Sequence, residues 1–289
     1  VRAADEWIRD EDLKDNSTDA PEKDTVLPST NQYNYQKEEL AAFCHFGPNT
    51  FNEIEWGEHY GDQKPNEIFR LTEDFDAKTL VNAVKDAGFH KLIVTAKHHE
   101  GFCIWDSKWT TYDVAPENYP ESPDVKRDVL AEISAACTEA DIDMGLYLSP
   151  WDIHDDSYGY YDAEGNALVG KDGQPLNGKT WEEVEELDVD DYNDYYNNQL
   201  EEILSNEKYG NKGHFVEVWM DGAKGSGANA QNYDFERWFE TIQKYEGKAS
   251  QKYDSDCMLF GANAYTTVRW IGNENGTADK NTWSKSIVD

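Results

Sequence analysis

Short apolar runs alternating with helical stripes constrain the fold of this chain more than any other feature. The runs are AAFCHF (41–46), KLIVTA (91–96), MGLYLS (144–149), FVEVWM (215–220), MLFGA (258–262) and VRWI (268–271). Each is short enough for a buried strand and too short for a helix. Between them, apolar residues recur at i, i+3, i+4 spacing. One such face holds Leu80, Val81, Val84 and Ala87, with Gly88 as its stop, and another holds Val129, Leu130, Ile133, Ala136 and Cys137. A third runs through Tyr192, Tyr196, Leu200, Ile203 and Leu204, and a fourth through Phe235, Trp238, Phe239, Ile242 and Tyr245. This spacing places each set on one face of a helix. Strand–helix–strand alternation requires right-handed crossovers and a parallel sheet. No Gly-rich phosphate loop follows the first run, which favours a barrel over a dinucleotide-binding sheet. The expected class is therefore α/β, a (β/α)8-type TIM-like barrel. Eight strands close such a barrel and six runs are present, so it is expected to be irregular or truncated after about the sixth strand. Residues 1–27 are polar and highly charged and read as an acidic N-terminal extension or linker. Residues 28–289 read as the barrel domain, with its C-terminal end expected to be incomplete. The turn-rich stretch 153–188 reads as a long loop or hairpin after the third strand, and the acids of 188–194 as the start of the next helix.

Charge narrows the partners. The chain carries 59 acidic and 26 basic residues, a formal net charge of −33. Such a surface repels nucleic acid and anionic lipid, and neither is expected as a partner. A neutral ligand is compatible with it. The 10 Trp and 17 Tyr would suit carbohydrate, whose apolar faces lie against indole rings, although core and surface packing also use them. The four cysteines form no CxxC pair, and Cys44, Cys103 and Cys137 lie on or beside apolar stretches, as buried free thiols do. No apolar run approaches the length of a membrane span. The acidic, thiol-poor composition is the one expected of a secreted or cell-surface bacterial protein.

In a barrel of this kind the site forms at the carboxyl ends of the strands. His45 follows the first run, with Glu55 and Trp56 beyond it. His98, His99 and Glu100 follow the second, Tyr147 ends the third, and Trp219 and Asp221 close the fourth. Glu274 follows the sixth. Asp221 is the sharpest of these, because a strand interrupted only by Glu217 ends on a carboxylate just before Gly222. Two rim carboxylates about 5–5.5 Å apart are the minimum machinery for cleaving a glycosidic bond with retention. Taken singly, Asp221 reads better as a turn residue or helix cap, and Glu274 as a solvated surface acid. Adjacent strand residues point to opposite faces, so His98 and His99 are not expected to share a metal ion. No HxH or HExxH spacing occurs, and no metal or other cofactor is expected.

Six stretches in order, FCHFGPNTF, EWG, AKHHEGFCIWDS, GLYLSPWD, VWMDGA and RWIGNENG, resemble glycoside hydrolase family 29, the α-L-fucosidases. The resemblance runs from about residue 28 to 284. The form RWIGNENG is similar to the subgroup acting on α-1,3/1,4-linked fucose in Lewis-type glycans. The resemblance implies a retaining exo-α-L-fucosidase that works without a metal, through a covalent fucosyl–enzyme intermediate, on a fucosylated oligosaccharide or glycoconjugate. It implies Asp221 as nucleophile and Glu274 as acid/base, with Glu55 and Glu100 as other candidates for the acid. It implies a fucose pocket lined by His45, Glu55, Trp56, His98, His99, Tyr147 and Trp219. Two other readings fit the same residues: a non-catalytic fucose- or carbohydrate-binding barrel, and a retaining glycosidase for another sugar.

Overall fold

The computed structural model describes residues 28–55, 60–71, 74–121, 127–159, 180, 182–183, 186, 191–221, 231–247, 257–268, 270 and 275–277. Among them, five parallel strands form one sheet in chain order: β1 (Ala42–Cys44), β2 (Lys91–Lys97), β3 (Asp143–Leu148), β4 (Glu217–Trp219) and β5 (Met258–Phe260). Sequential order with every pair parallel is the order of a TIM-type barrel wall, and the sheet is open among the described residues. The expected class holds, as α/β with a parallel sheet. At the sixth run the described Val268 and Trp270 are not strand; the Val268 N–H turns back to the Leu259 carbonyl at 3.2 Å. The extension 1–27 and most of the 153–188 loop lie outside the described residues.

The crossover helices cover the outer face of the sheet, while the first helix meets the inner-face residues, Tyr35 against Phe260 and Glu38 against Lys91. In chain order the helices are α1 (Thr30–Glu38), α2 (Pro48–Asn52), α3 (Pro65–Ile68), α4 (Ala77–Asp86), α5 (Val129–Ala140), α6 (Asp191–Leu204) and α7 (Phe235–Glu246). The crossover helices start where the sequence supplies a cap. Asp76, Asp128 and Asp234 each accept from a backbone N–H in the first turn of α4, α5 and α7. Gly88, at φ +89°, reverses the chain after α4 in a conformation that costs glycine little.

Strand alternation sorts the side chains. Val94, Leu146, Val218 and Leu259 point outward and join the core beneath the helices with Val81, Ile133, Leu200 and Trp238. The opposite face carries Phe43, Ile93, Gly145, Glu217 and Met258 in one layer. Tyr147, Trp219 and Phe260 form the layer above, paired in register. This inner face is what a barrel would enclose, and its upper layer carries the candidate site. Three of the free cysteines, Cys103, Cys137 and Cys257, are buried, and Cys44 is half-buried.

Candidate active site

The carboxyl ends of β1 to β4 bring one set of side chains together. Tyr147, buried in the last turn of β3, donates its hydroxyl to Asp221 Oδ2 at 2.7 Å. Asp221 lies just past β4 and is one-third exposed. His99 Nε2 stands 3.9 Å from the same Asp221 oxygen. The Ser149 hydroxyl donates to the Trp151 carbonyl at 2.7 Å, so at its 2.7 Å contact with His99 Nδ1 it accepts. Neutral His99 therefore carries its proton on Nδ1, and its unprotonated Nε2 faces Asp221. Burial holds His99 below the ordinary imidazole value, against the pull of the Asp221 charge.

His98 packs flat on Tyr147, with ring centroids 5.4 Å apart and planes 8° from parallel. Its Nδ1 is buried and has no hydrogen-bond partner among the described residues, the nearest carboxylate being Glu100 Oε2 at 3.8 Å. Burial, reinforced by His99 and His45, brings His98 down to about 3, so it is neutral at physiological pH. A buried, unpaired ring nitrogen is costly and suits a site that completes its hydrogen bonds with a ligand hydroxyl.

The two histidines depart from the strand reading. They were expected on opposite faces, yet their rings lie 4.2 Å apart on the same side. β2 ends at Lys97, just past a register irregularity between Thr95 and Lys97, so both histidines lie beyond the strand, where alternation no longer separates them. Lys97 turns outward toward α6, where it meets Asp152 Oδ2 at 3.1 Å and Gln199 Oε1 at 2.9 Å, fully buried. The chain then leaves the sheet, and His98 turns to Tyr147 while His99 turns to Asp221. Among the described residues, no three His, Cys, Asp or Glu side chains come close enough to hold a metal ion.

Aromatic rings wall the inner face. Trp219 stacks on Phe260 at 3.8 Å and 10°, and meets the edge of Phe43 at 5.2 Å. Phe43 in turn stacks on His45 at 4.8 Å, and His45 lies 5.6 Å from His98. Beside them opens a hollow of about 180 Å³ between the ends of β1 and β2, lined by His45, Asn49, Glu55, Thr95, His98 and Glu100 among others. Glu55 is exposed at its mouth. Glu100 is buried, accepts from Asn49 Nδ2 at 3.2 Å, and is pushed up to about 7 by burial. Asp221 and Tyr147 are not part of that lining, and His45 and His98 stand between the two regions.

Thus His45, His98, His99, Tyr147, Trp219 and Asp221 share one region, with Glu55 at its margin. Trp56 and Glu274 lie outside the described residues. Sequence reading passed over Phe43, Asn49 and Ser149. Phe43 had a signal, standing two residues before His45 and hence on the same strand face. Ser149 had none, because its role depends on the tautomer it imposes on a residue 50 positions earlier.

With this geometry in view, comparisons with known proteins agree with one another. The family model for Alpha-L-fucosidase matches residues 10–283. Alpha-L-fucosidase 1 of Arabidopsis thaliana is 39% identical over 258 residues, covering 89% of this chain and 41% of the plant protein. A Ruminococcus gnavus GH29 fucosidase solved in complex with fucose is 66% identical, with a TM-score of 0.74, covering 94% of this chain and 50% of that one. A D221A mutant of the R. gnavus enzyme, also with fucose, superposes with a TM-score of 0.75. The chain spans about two fifths of the plant relative and half of the bacterial structure. On the extent of these matches, the chain belongs to the α-L-fucosidase family, glycoside hydrolase family 29.

Proposed function

We propose that this chain supplies the catalytic barrel of a retaining exo-α-L-fucosidase acting on terminal α-1,3/1,4-linked L-fucose of Lewis-type glycans. One observation carries the reading: a carboxylate at the end of β4, gripped by the Tyr147 hydroxyl at 2.7 Å and flanked by neutral histidines and aromatic walls. In this reading an Asp221 oxygen attacks C1 of the fucosyl unit. The C1–O bond to the leaving sugar breaks, and the leaving oxygen takes the proton of Glu274. Water then gives a proton to the Glu274 carboxylate and attacks C1, the ester bond to Asp221 breaks, and two inversions leave the configuration retained.

The histidines bind rather than transfer protons. The unpaired Nδ1 of His98 and the Asp221-facing Nε2 of His99 offer positions for sugar hydroxyls. His45, Glu55 and Trp56 would complete the polar grip, and the Trp219–Phe43–Phe260 wall suits the apolar face and methyl group of a deoxy sugar. A solved relative named as a GH29 fucosidase in complex with fucose supports the sugar class. The family resemblance of RWIGNENG supports the linkage and Glu274. A bacterial cell-surface or secreted setting is proposed on composition alone.

A product assay on a Lewis-type trisaccharide beside a 2'-linked fucosyllactose tests the reading, with the first-formed anomer followed by NMR. Release of α-L-fucose from the trisaccharide, with little from the 2'-linked sugar, is expected. Initial release of the β anomer would contradict retention. Fucose binding without turnover would move the chain to the non-catalytic reading.

A further inference from the structure

A buried carboxylate lies beneath the aromatic wall, and the proposed chemistry leaves it unused. Glu217 is fully buried on β4, on the same face as Trp219 and two strand steps below Asp221. Its Oε2 accepts from the Trp219 indole N–H at 2.8 Å. Its Oε1 lies 3.2 Å from Lys91 Nζ, whose ammonium also meets Glu38 of α1 at 2.7 Å. Lys91 begins β2 and Glu217 begins β4, so their tie crosses the inner face of β3. Strand β3 is cleared at this layer: its residue there is Gly145, where a Cβ would come within 2.6 Å of Ile93 Cγ1.

A charge group at the closed end of a core is expensive, and an apolar pair of similar volume is often as stable. Its presence asks for a reason other than stability, and the indole supplies one. The other neighbours of Trp219, Phe260 against one face and Phe43 edge-on, are apolar contacts that fix a ring's plane loosely. The hydrogen bond to Glu217 is directional, and the Lys91 ammonium, 3.2 Å from the other carboxylate oxygen though without hydrogen-bond geometry, anchors the acceptor as its ion-pair partner. The hydrogen bond also points the polar edge of the indole toward Glu217, away from the carboxyl end of β4.

We propose that Glu217 is a positioning residue: the carboxylate held by Lys91 sets the tilt of Trp219, and through it the fit of the sugar against the aromatic wall. The inference rests on the reading of Trp219 as part of the fucose pocket. Because the wall touches the sugar in the ground and transition states alike, its loss raises KM more than it lowers kcat.

Two charge-matched double variants isolate the effect. Lys91→Met with Glu217→Gln keeps an oxygen for the indole; Lys91→Met with Glu217→Leu removes it. Both eliminate the ion pair, and both are expected to fold. If the leucine variant does not melt cooperatively, Glu217→Met replaces it with a more adaptable filler. L-Fucose binding by calorimetry and aryl fucoside kinetics are read together. The glutamine variant should bind fucose within about threefold of wild type. The leucine variant should bind at least about tenfold more weakly and raise KM by a like factor, with kcat changed by less than about threefold, a difference of about 1.4 kcal/mol in binding. Repeated in a Trp219→Phe background, the two should bind alike, since no indole N–H remains. Equal binding of the folded variants with the indole present overturns the proposal, as does a difference that persists in the Trp219→Phe background. Wild-type protein that neither binds nor cleaves fucosides removes the fucosidase reading and this inference with it, an outcome separate from wild-type binding that the variants leave unchanged.

Discussion

The Tyr147 hydroxyl and the Asp221 carboxylate meet at 2.7 Å across two neighbouring strands, β3 and β4, whose register pairs Tyr147 with Trp219. The contact fixes the carboxylate at the mouth of the sheet. Burial first, and then the Asp221 charge, push the Tyr147 phenol well above its ordinary value, so it remains a donor at any working pH. A hydrogen bond to a charged group contributes about 1.5–3 kcal/mol. Tyr147→Phe should therefore lower kcat/KM on an aryl fucoside roughly tenfold to a hundredfold and lower the thermal midpoint by no more than about 10 °C, with the fold retained. Unchanged kinetics would remove Tyr147 from the site.

Glu100 makes a pH prediction with a definite sign. Its folded value, about 7, lies above the ordinary carboxyl value of 4.5 because burial penalises the anion. The folded state thus holds this proton more tightly than the unfolded chain does. Its contribution to stability is fully present below 4.5 and is lost as pH rises through about 7, at a cost on the order of 3 kcal/mol when fully ionised. Glu100→Gln, which still accepts from Asn49, should raise the melting midpoint at pH 8 and leave it nearly unchanged at pH 4.5. Equal shifts at both pH values would contradict the assignment.

The buried pair beneath the site should be intolerant of a single loss. Lys97 and Asp152 are both buried, and Asp152 also accepts the backbone N–H groups of His154 and Asp155. Lys97→Met strands the carboxylate and should cost roughly 3–5 kcal/mol in chemical denaturation. Adding Asp152→Asn should recover part of that loss, since the amide oxygen still accepts both N–H groups. No recovery would mean that the ammonium matters through its tyrosine neighbours on α6 instead.

Gly145→Ala tests the packing of the inner layer. Its Cβ would sit 2.6 Å from Ile93 Cγ1, inside two paired strands that cannot easily separate. Overpacking of this kind costs about 1–3 kcal/mol, and the Gly145→Ala/Ile93→Ala double variant should lose less than the sum of the two single losses. An alanine variant as stable as wild type would show that the layer has room.

What the sequence disclosed follows from how local each signal is. The β2 run was plain because all seven residues of the strand are buried, and the α4, α5 and α7 stripes because each helix has one apolar face and an Asp cap. Strand ends were less legible. The six-residue run at 41–46 yields a three-residue β1, since the Phe46 N–H turns to the Thr95 hydroxyl at 3.2 Å instead of a ladder carbonyl. The shared side of His98 and His99 was hidden, because both follow the end of β2 at Lys97, where strand alternation stops. Glu217 was visible as a break in an apolar run, but its partner lies 126 positions earlier on a strand that is not its neighbour. The convergence of His45, His98, Tyr147, Trp219 and Asp221 was legible as a consequence of barrel topology, which collects strand ends on one rim.

The central claim is that Asp221 forms the covalent bond to the sugar. A fucosyl fluoride with fluorine at C2 tests it most directly, because the fluorine slows breakdown of a glycosyl–enzyme ester while the fluoride leaving group still allows it to form. After incubation and proteolysis, mass spectrometry should find one fluorofucosyl group per chain, on the peptide containing Asp221 and fragmenting to that residue. A label on another carboxylate, or a chain that turns over fucosides yet never accumulates a label, would contradict the account.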